Sequence, residues 1–199
     1  IGLKLIDIAG MRGIARVRSG EFVVALLTAA TVVIVGVEQA VILAIVLSII
    51  EHLYHAYRPY DTTIAVTPEG RLDSQPVSSG SMVQARPGLV IYRFGAGLYY
   101  ANATRFQEEA QWILENADPK VEWFCLSAAA MADVDYSGAG AIRQVIDEVK
   151  RHGAKFVICQ AEPGVIGRPN QYGLATEVDG VYDFVEDVIA AYDQRGTTT

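Results

Sequence analysis

Residues 22–50 read FVVALLTAATVVIVGVEQAVILAIVLSII, and across these 29 positions only Glu38 and Gln39 bring a charge or an amide. A run this long is a membrane signal rather than the core helix of a soluble domain. It is too long for a secretory leader and has no small-residue cleavage pattern after it. As one helix it would measure about 44 Å, against a hydrocarbon core of about 30 Å. Two short helices, roughly 21–35 and 39–57 and joined near Gly36-Val37-Glu38-Gln39, fit better. Arg12, Arg16 and Arg18 precede the run and Arg58 follows it. A hairpin returns both basic ends to the cytoplasmic side; a single span does not. The chain starts at Ile1 rather than Met, which fits the tail of something longer.

Charge divides the chain at the same place. Residues 1–60 carry five basic and four acidic side chains, and the remaining 139 carry eleven basic and nineteen acidic ones, net −8. An acidic second part excludes a nucleic-acid binder, which needs a basic face. The plentiful aromatic and β-branched residues exclude disorder. Two cysteines, Cys125 and Cys159, do not make a disulfide scaffold. Their apolar, strand-like surroundings suit reduced, buried thiols.

Glu38 reads as a turn residue at the hairpin tip, in water or headgroups, rather than as an intramembrane functional group. His52 and His55 stand beside Glu51 and Tyr54 without enough converging ligands for a metal. An interfacial belt of Tyr54, Tyr57 and Tyr60 with a snorkelling Arg58 is the better reading. Pro59 ends the helix. Residues 61–88 hold a strand-like Thr62-Thr63-Ile64-Ala65-Val66 and then a polar linker rich in Pro, Gly and Ser.

Beyond residue 88 the pattern is strand–helix–strand. Leu89 to Phe94 is a strand, continued by Leu98-Tyr99-Tyr100 after a Gly95-Ala96-Gly97 break. Thr104 and Gln107 have capping-box spacing and open a helix whose apolar face is Phe106, Ala110, Ile113, Leu114 and Ala117. Val121 to Leu126 is a buried strand. A helix over about 138–152 buries Ile142, Val145, Ile146 and Val149 and stops at Gly153. Ala154 to Cys159 is a further buried strand. A last helix starts near Asp183, with Glu186 three residues on, and buries Val185, Val188, Ile189 and Tyr192. This alternation implies an α/β domain with parallel crossovers.

Sites for chemistry are few. Asp133-Val134-Asp135-Tyr136-Ser137-Gly138 falls at a strand-to-helix turn. Ser137 or Asp135 can cap the helix, and Gly138 permits a tight turn. The same residues could bind a metal or form a phosphorylation loop, but capping is the commoner use. There is no GxGxxG, no P-loop and no CxxC, so no cofactor is implied. His152 has no Ser or Cys in a triad-like context, so no enzyme is implied either. Asn102-Ala103-Thr104 matches a glycosylation sequon, which Thr104 as a helix cap explains without a sugar. Trp112 and Trp123 read as packing residues.

Taken together, the apolar pair introduced by Ser19-Gly20-Glu21-Phe22 and ending in Arg58-Pro59 resembles the last two membrane segments of SulP-type anion transporters. The remainder of the chain resembles their STAS domain, through Pro87-Gly88-Leu89-Val90-Ile91-Tyr92-Arg93-Phe94, Leu98-Tyr99-Tyr100-Ala101-Asn102-Ala103 with Phe106, and Asp133-Val134-Asp135-Tyr136-Ser137-Gly138. The resemblance implies a STAS-like α/β fold, a mixed sheet flanked by helices, preceded by a transmembrane helical hairpin. It divides the chain into 1–60 as the end of a transporter domain, 61–88 as linker and first strand, and 89–199 as the STAS domain.

It also implies secondary transport of an inorganic anion, usually sulfate, with bicarbonate and chloride as rivals. The anion site would lie outside this chain. The implied setting is the cell (inner) membrane, with the STAS domain cytoplasmic. The implied partners are the lipid bilayer, a second copy in a homodimer, and a cytosolic regulatory protein. Two rival readings stay open: a membrane-tethered phospho-signalling module acting through Ser137, and a structural dimerisation tail. Two departures stand out. Gly95-Ala96-Gly97 replaces the family's Asp-Ala-Pro, which implies a more mobile loop. Tyr136 stands where related anti-sigma-factor antagonists carry their phosphorylated serine, leaving Ser137 as the one remaining hydroxyl of that pair. Residues 163–173 read poorly as the helix a STAS fold places there.

Overall fold

A computed structural model describes residues 19–57, 60–77, 82–162, 165 and 173–195. The chain divides into two compact units, Ile1–Tyr57 and Arg58–Thr199.

The first unit contains two helices, α1 (Ser19–Ile34) and α2 (Val37–Tyr57). The break falls where glycine allows it. Gly36 has φ +139°, and Val35 N and Gly36 N both donate to Thr31 O, at 2.9 and 3.0 Å. Gly20 lies against Glu51 Oε1, so the start of α1 meets the later part of α2 and the two run antiparallel. Thr28 and Thr31 turn their hydroxyls back onto Val24 O and Leu27 O, both at 2.8 Å, which satisfies them inside the helix. Apolar side chains such as Val33, Ile34 and Val37 point outward.

The run is therefore two helices, not one. The joint sits at Val35-Gly36, earlier than expected, so Glu38 lies in the first turn of α2, where its charge suits the helix dipole. Among the described residues, no helix is long and apolar enough to cross a membrane. The 16 residues of α1 span about 24 Å, and the charge-free stretch of α2, residues 40–50, spans about 16 Å. The side chains of residues 52–57 and residues 58 and 59 lie outside the described residues; of the expected belt, Tyr60 is described and is exposed.

The second unit is a six-stranded mixed sheet in the order β2-β1-β3-β4-β5-β6. Its strands are β1 (Thr62–Val66), β2 (Leu72–Pro76), β3 (Leu89–Arg93), β4 (Trp123–Ser127), β5 (Lys155–Cys159) and β6 (Gly180–Tyr182). β1 pairs antiparallel with both β2 and β3, and β3 through β6 are parallel. The helices are α3 (Tyr100–Asn116), α4 (Tyr136–Arg151) and α5 (Val185–Gln194).

Side-chain alternation sorts two cores. Val90, Tyr92, Phe124, Leu126, Phe156 and Ile158 face α3 and α4. Leu89, Ile91, Cys125, Val157 and Cys159 face α5, which supplies Val185, Val188, Ile189 and Tyr192. Gly88 joins the two levels. It has φ +86°, and a Cβ there would stand 2.5 Å from the Tyr192 hydroxyl, which donates to Pro87 O at 2.6 Å.

Several local expectations shift. Residues 72–76, expected to be linker, form β2 on a turn closed by Gly70 N donating to Thr67 O at 2.8 Å. Leu98 does not extend β3; it makes a separate parallel bridge to Val134. α3 starts four residues before Thr104, because Asn102 Oδ1 accepts from Tyr99 N at 2.9 Å and takes the capping role. α5 starts at Val185, with Asp187 Oδ2 accepting from Phe184 N at 3.1 Å. Residues 163–173 lie outside the described residues apart from Val165 and Gly173.

Candidate functional site

The 133–138 loop joins β4 to α4, and its backbone is tied to the segment entering α3. Leu98 N donates to Asp133 O, and Asp135 N donates to Leu98 O, both at 3.1 Å. Asp135 caps α4: its Oδ1 accepts from Gly138 N at 2.7 Å. Its Oδ2 accepts from Tyr100 N at 3.0 Å. One carboxylate therefore serves the first turns of two helices.

Gly138 is required here for space, since a Cβ would stand 2.3 Å from Leu98 O. Of the two candidate caps, Asp135 fills the role and Ser137 does not. Ser137 is half-buried in the first turn of α4, and Asp133 is exposed with Oδ1 accepting from Val134 N at 2.9 Å. Tyr136 and Tyr100 are 82% and 80% exposed, one at each helix start. The structure thus brings together all five residues singled out in this loop, around Asp135. Among the described residues no group of three or more His, Cys, Asp or Glu is placed to hold a metal.

Asn102 is buried, with Nδ2 donating to Gly97 O at 2.9 Å. Its amide is committed to the fold, so it is no sugar acceptor in this unit. The Gly95–Gly97 stretch is held at both ends: Gly95 N donates to Asp61 Oδ1 at 2.9 Å, and Gly97 O accepts from Asn102. Trp123 packs edge-on to Tyr192 at 5.6 Å, as a packing residue should. Cys125 and Cys159 are free and buried, and the Cys125 thiol donates to Cys159 Sγ at 3.4 Å.

Two polar groupings escaped the sequence reading. At the carboxyl ends of β3 and β4, Arg93 Nε donates to Ser127 Oγ at 3.3 Å, and Ser127 Oγ donates to Gln160 Oε1 at 3.0 Å. The other is Asp61 with Arg105, Glu109 and Tyr92. Burial, then Glu109, push the Asp61 carboxyl up to about 7 against the opposing pull of the Gly95 amide and Arg105. Burial likewise pushes the Tyr92 hydroxyl well above its ordinary value. Nothing short-range in the sequence marks either group, because each draws on elements far apart in the chain. Two shallow hollows, of about 470 and 430 Å³, lie elsewhere, one beside Trp112 and Pro119 and one between α3 and α4.

Comparison with known proteins settles what this unit is. The sequence profile of the STAS domain matches residues 81–188. The chain belongs to the STAS domain family. The β3–α3–β4–α4–β5 core and the Asp135 cap lie within those residues, and the STAS fold explains the mixed sheet. The chain is 34% identical over 160 residues to a probable sulfate transporter of Mycobacterium tuberculosis, a match covering 80% of this chain and 28% of that protein. It is 23% identical over 172 residues to sulfate transporter 1.1 of Arabidopsis thaliana, covering 82% of this chain and 26% of that protein. The chain spans between a quarter and a third of the length of these relatives.

Among solved structures, the murine solute carrier 26 family member A9 anion transporter, in its inward-facing state, superposes with a TM-score of 0.74 at 14% identity, covering 96% of this chain and 31% of that one. A sulfate transporter family protein from Wolinella succinogenes superposes at 0.50 and 17% identity, covering 62% of this chain and 99% of that one. At these identities the likeness is one of fold.

Proposed function

We propose that this chain is the C-terminal portion of a membrane secondary transporter for inorganic anions, sulfate first among them, and that its STAS unit regulates transport or assembly. The observation that carries the reading is the order of parts. An apolar helical pair stands directly ahead of a STAS unit, and 34% identity to a probable sulfate transporter extends over 80% of the chain. On this reading residues 1–60 end the transporter domain, residues 61–88 lead into the sheet, and residues 89–199 are the STAS domain on the cytoplasmic side. α1 and α2 are membrane-embedded as a pair rather than singly. Their outward apolar faces meet lipid and neighbouring segments, which would also shield the reversal at Gly36. The anion site lies on other segments, and the transporter works as a homodimer.

The 133–138 loop is the regulatory surface in this proposal. Tyr136 and Ser137 are presented at the start of α4 on a turn fixed by Asp135 and Gly138, where a cytosolic protein can reach them. The test is isotopic sulfate uptake by cells carrying the full transporter or a version lacking residues 61–199. Altered uptake or surface level supports regulation. Unchanged uptake with unchanged surface level overturns it, and absence of anion uptake by the full transporter overturns the transport reading.

A further inference from the structure

Asp61 immediately precedes β1, and its side chain is 1% exposed. Its Oδ1 accepts from Gly95 N, and its Oδ2 accepts from Arg105 Nε at 3.2 Å and lies 3.1 Å from the Arg105 terminal nitrogen. That same nitrogen reaches Glu109 Oε1 at 2.8 Å, one turn along α3. From β3, the Tyr92 hydroxyl donates to Glu109 Oε2 at 2.8 Å. Two carboxylates therefore close on a single guanidinium, and Tyr92 is the other titratable group facing them among the described residues. With both acids ionised, one negative charge is left uncompensated beside the buried Asp61, while Arg105 and Glu109 are half-buried, and this is costly. One proton from solvent, bound to an Asp61 oxygen, leaves one carboxylate against one guanidinium. It also supplies an O–H that can donate to Glu109.

We propose that Asp61, facing Glu109 across the Arg105 guanidinium, binds one proton and forms a proton-operated latch between the start of β1 and the 133–138 loop. The upward displacement of the Asp61 carboxyl, to about 7, agrees with this geometry. The connection runs through backbone. Gly95 is pressed so close to the preceding strand entry that a Cβ would stand 2.3 Å from Tyr60 O. Three residues later Leu98 bridges Val134, and Asp135 next to it caps α4. Protonated Asp61 stays buried and keeps Gly95 N. Ionised Asp61 turns toward water, releases Gly95 N, and loosens the Leu98 bridge.

The test is a carboxyl and amide NMR titration of the full chain in detergent micelles. The expected result is an Asp61 midpoint near 7, with the Gly95 and Gly138 amides moving at that same midpoint. Glu109→Gln should lower the midpoint, and Asp61→Asn should abolish the shared transition. An Asp61 midpoint near the ordinary value of about 4 overturns the latch. A Gly138 amide that stays still while Gly95 moves overturns its link to the loop. The wild-type titration decides alone if either variant fails to fold. The latch does not depend on the transport reading, and loss of anion uptake would not bear on it.

Discussion

Asp135 accepts from Tyr100 N at 3.0 Å with the carboxylate oxygen that its own cap at Gly138 leaves unused. The two helices on one face of the STAS sheet thus start from a common anchor. Trp112 and Trp123 are the chain's two tryptophans and both belong to this unit, so fluorescence follows its unfolding.

Asp135→Ala removes both bonds and should lower the unfolding free energy of the STAS unit by about 1–2 kcal/mol. Asp135→Asn, which keeps an acceptor for Gly138, should cost less. Ser137→Ala should change stability by less than about 0.5 kcal/mol, since Ser137 caps nothing. Urea titrations followed by fluorescence separate the three. An equal loss for Ser137→Ala and Asp135→Ala would reject the assignment of the cap.

Two glycines of α4 should respond in opposite directions. Gly138→Ala forces a methyl to 2.3 Å from Leu98 O and should destabilise by about 1–3 kcal/mol or more. Gly140→Ala meets nothing within 4 Å and should stabilise the helix by about 0.5–1 kcal/mol. The same titrations test this pair, and a destabilising Gly140→Ala would contradict the packing described.

The Asp61 carboxyl is raised from 3.8 to about 7, so the folded unit binds its proton more tightly than the unfolded chain does. Its contribution to stability is complete below about pH 4 and is lost as pH rises through 7. Thermal melts from pH 4 to 8 should show this as a difference between the wild type and Asp61→Asn. The wild type should lose ground steadily with rising pH relative to the variant. A constant difference between them would show that Asp61 does not titrate in this range.

Asn102→Ala strands Tyr99 N and Gly97 O inside the fold and should cost about 1–3 kcal/mol. Thr104→Ala should be close to neutral, because Thr104 caps nothing. Chemical denaturation distinguishes this from the cap suggested by sequence spacing alone.

The parts of the fold that could be read from sequence were those written in apolar periodicity. Ile142, Val145, Ile146 and Val149 announce α4, and Val185, Val188, Ile189 and Tyr192 announce α5, because each set repeats with the helix. β2 and β6 were missed because Leu72–Pro76 is mostly exposed and Gly180–Tyr182 is only three residues long, so neither alternates clearly. The start of α3 was displaced because Thr104-x-x-Gln107 imitates a capping box, while the working cap, Asn102, bonds Tyr99 N and Gly97 O just ahead of the helix, a pairing no residue-type spacing rule singles out. The Asp133–Asp135–Gly138 turn was visible as a motif. That Asp135 also serves α3 was not, because Tyr100 lies 35 residues away. Asp61 offered no local signal at all. Its partners Arg105 and Glu109 carry the helical spacing of an ordinary surface ion pair.

The two cores give the sheet a parity. In β4, even positions such as Phe124 and Leu126 belong to the α3–α4 side, and odd Cys125 belongs to the α5 side. Inserting or deleting a single residue inside β4 would exchange its faces and present each core with the other's side chains. β2 is different: Leu72, Asp73 and Ser74 are all exposed, so it has no face to get wrong. Changes in length therefore have somewhere to go at the outer hairpin and almost nowhere at the centre. The sheet is soft at its antiparallel rim and unforgiving along the strands that carry the 133–138 loop.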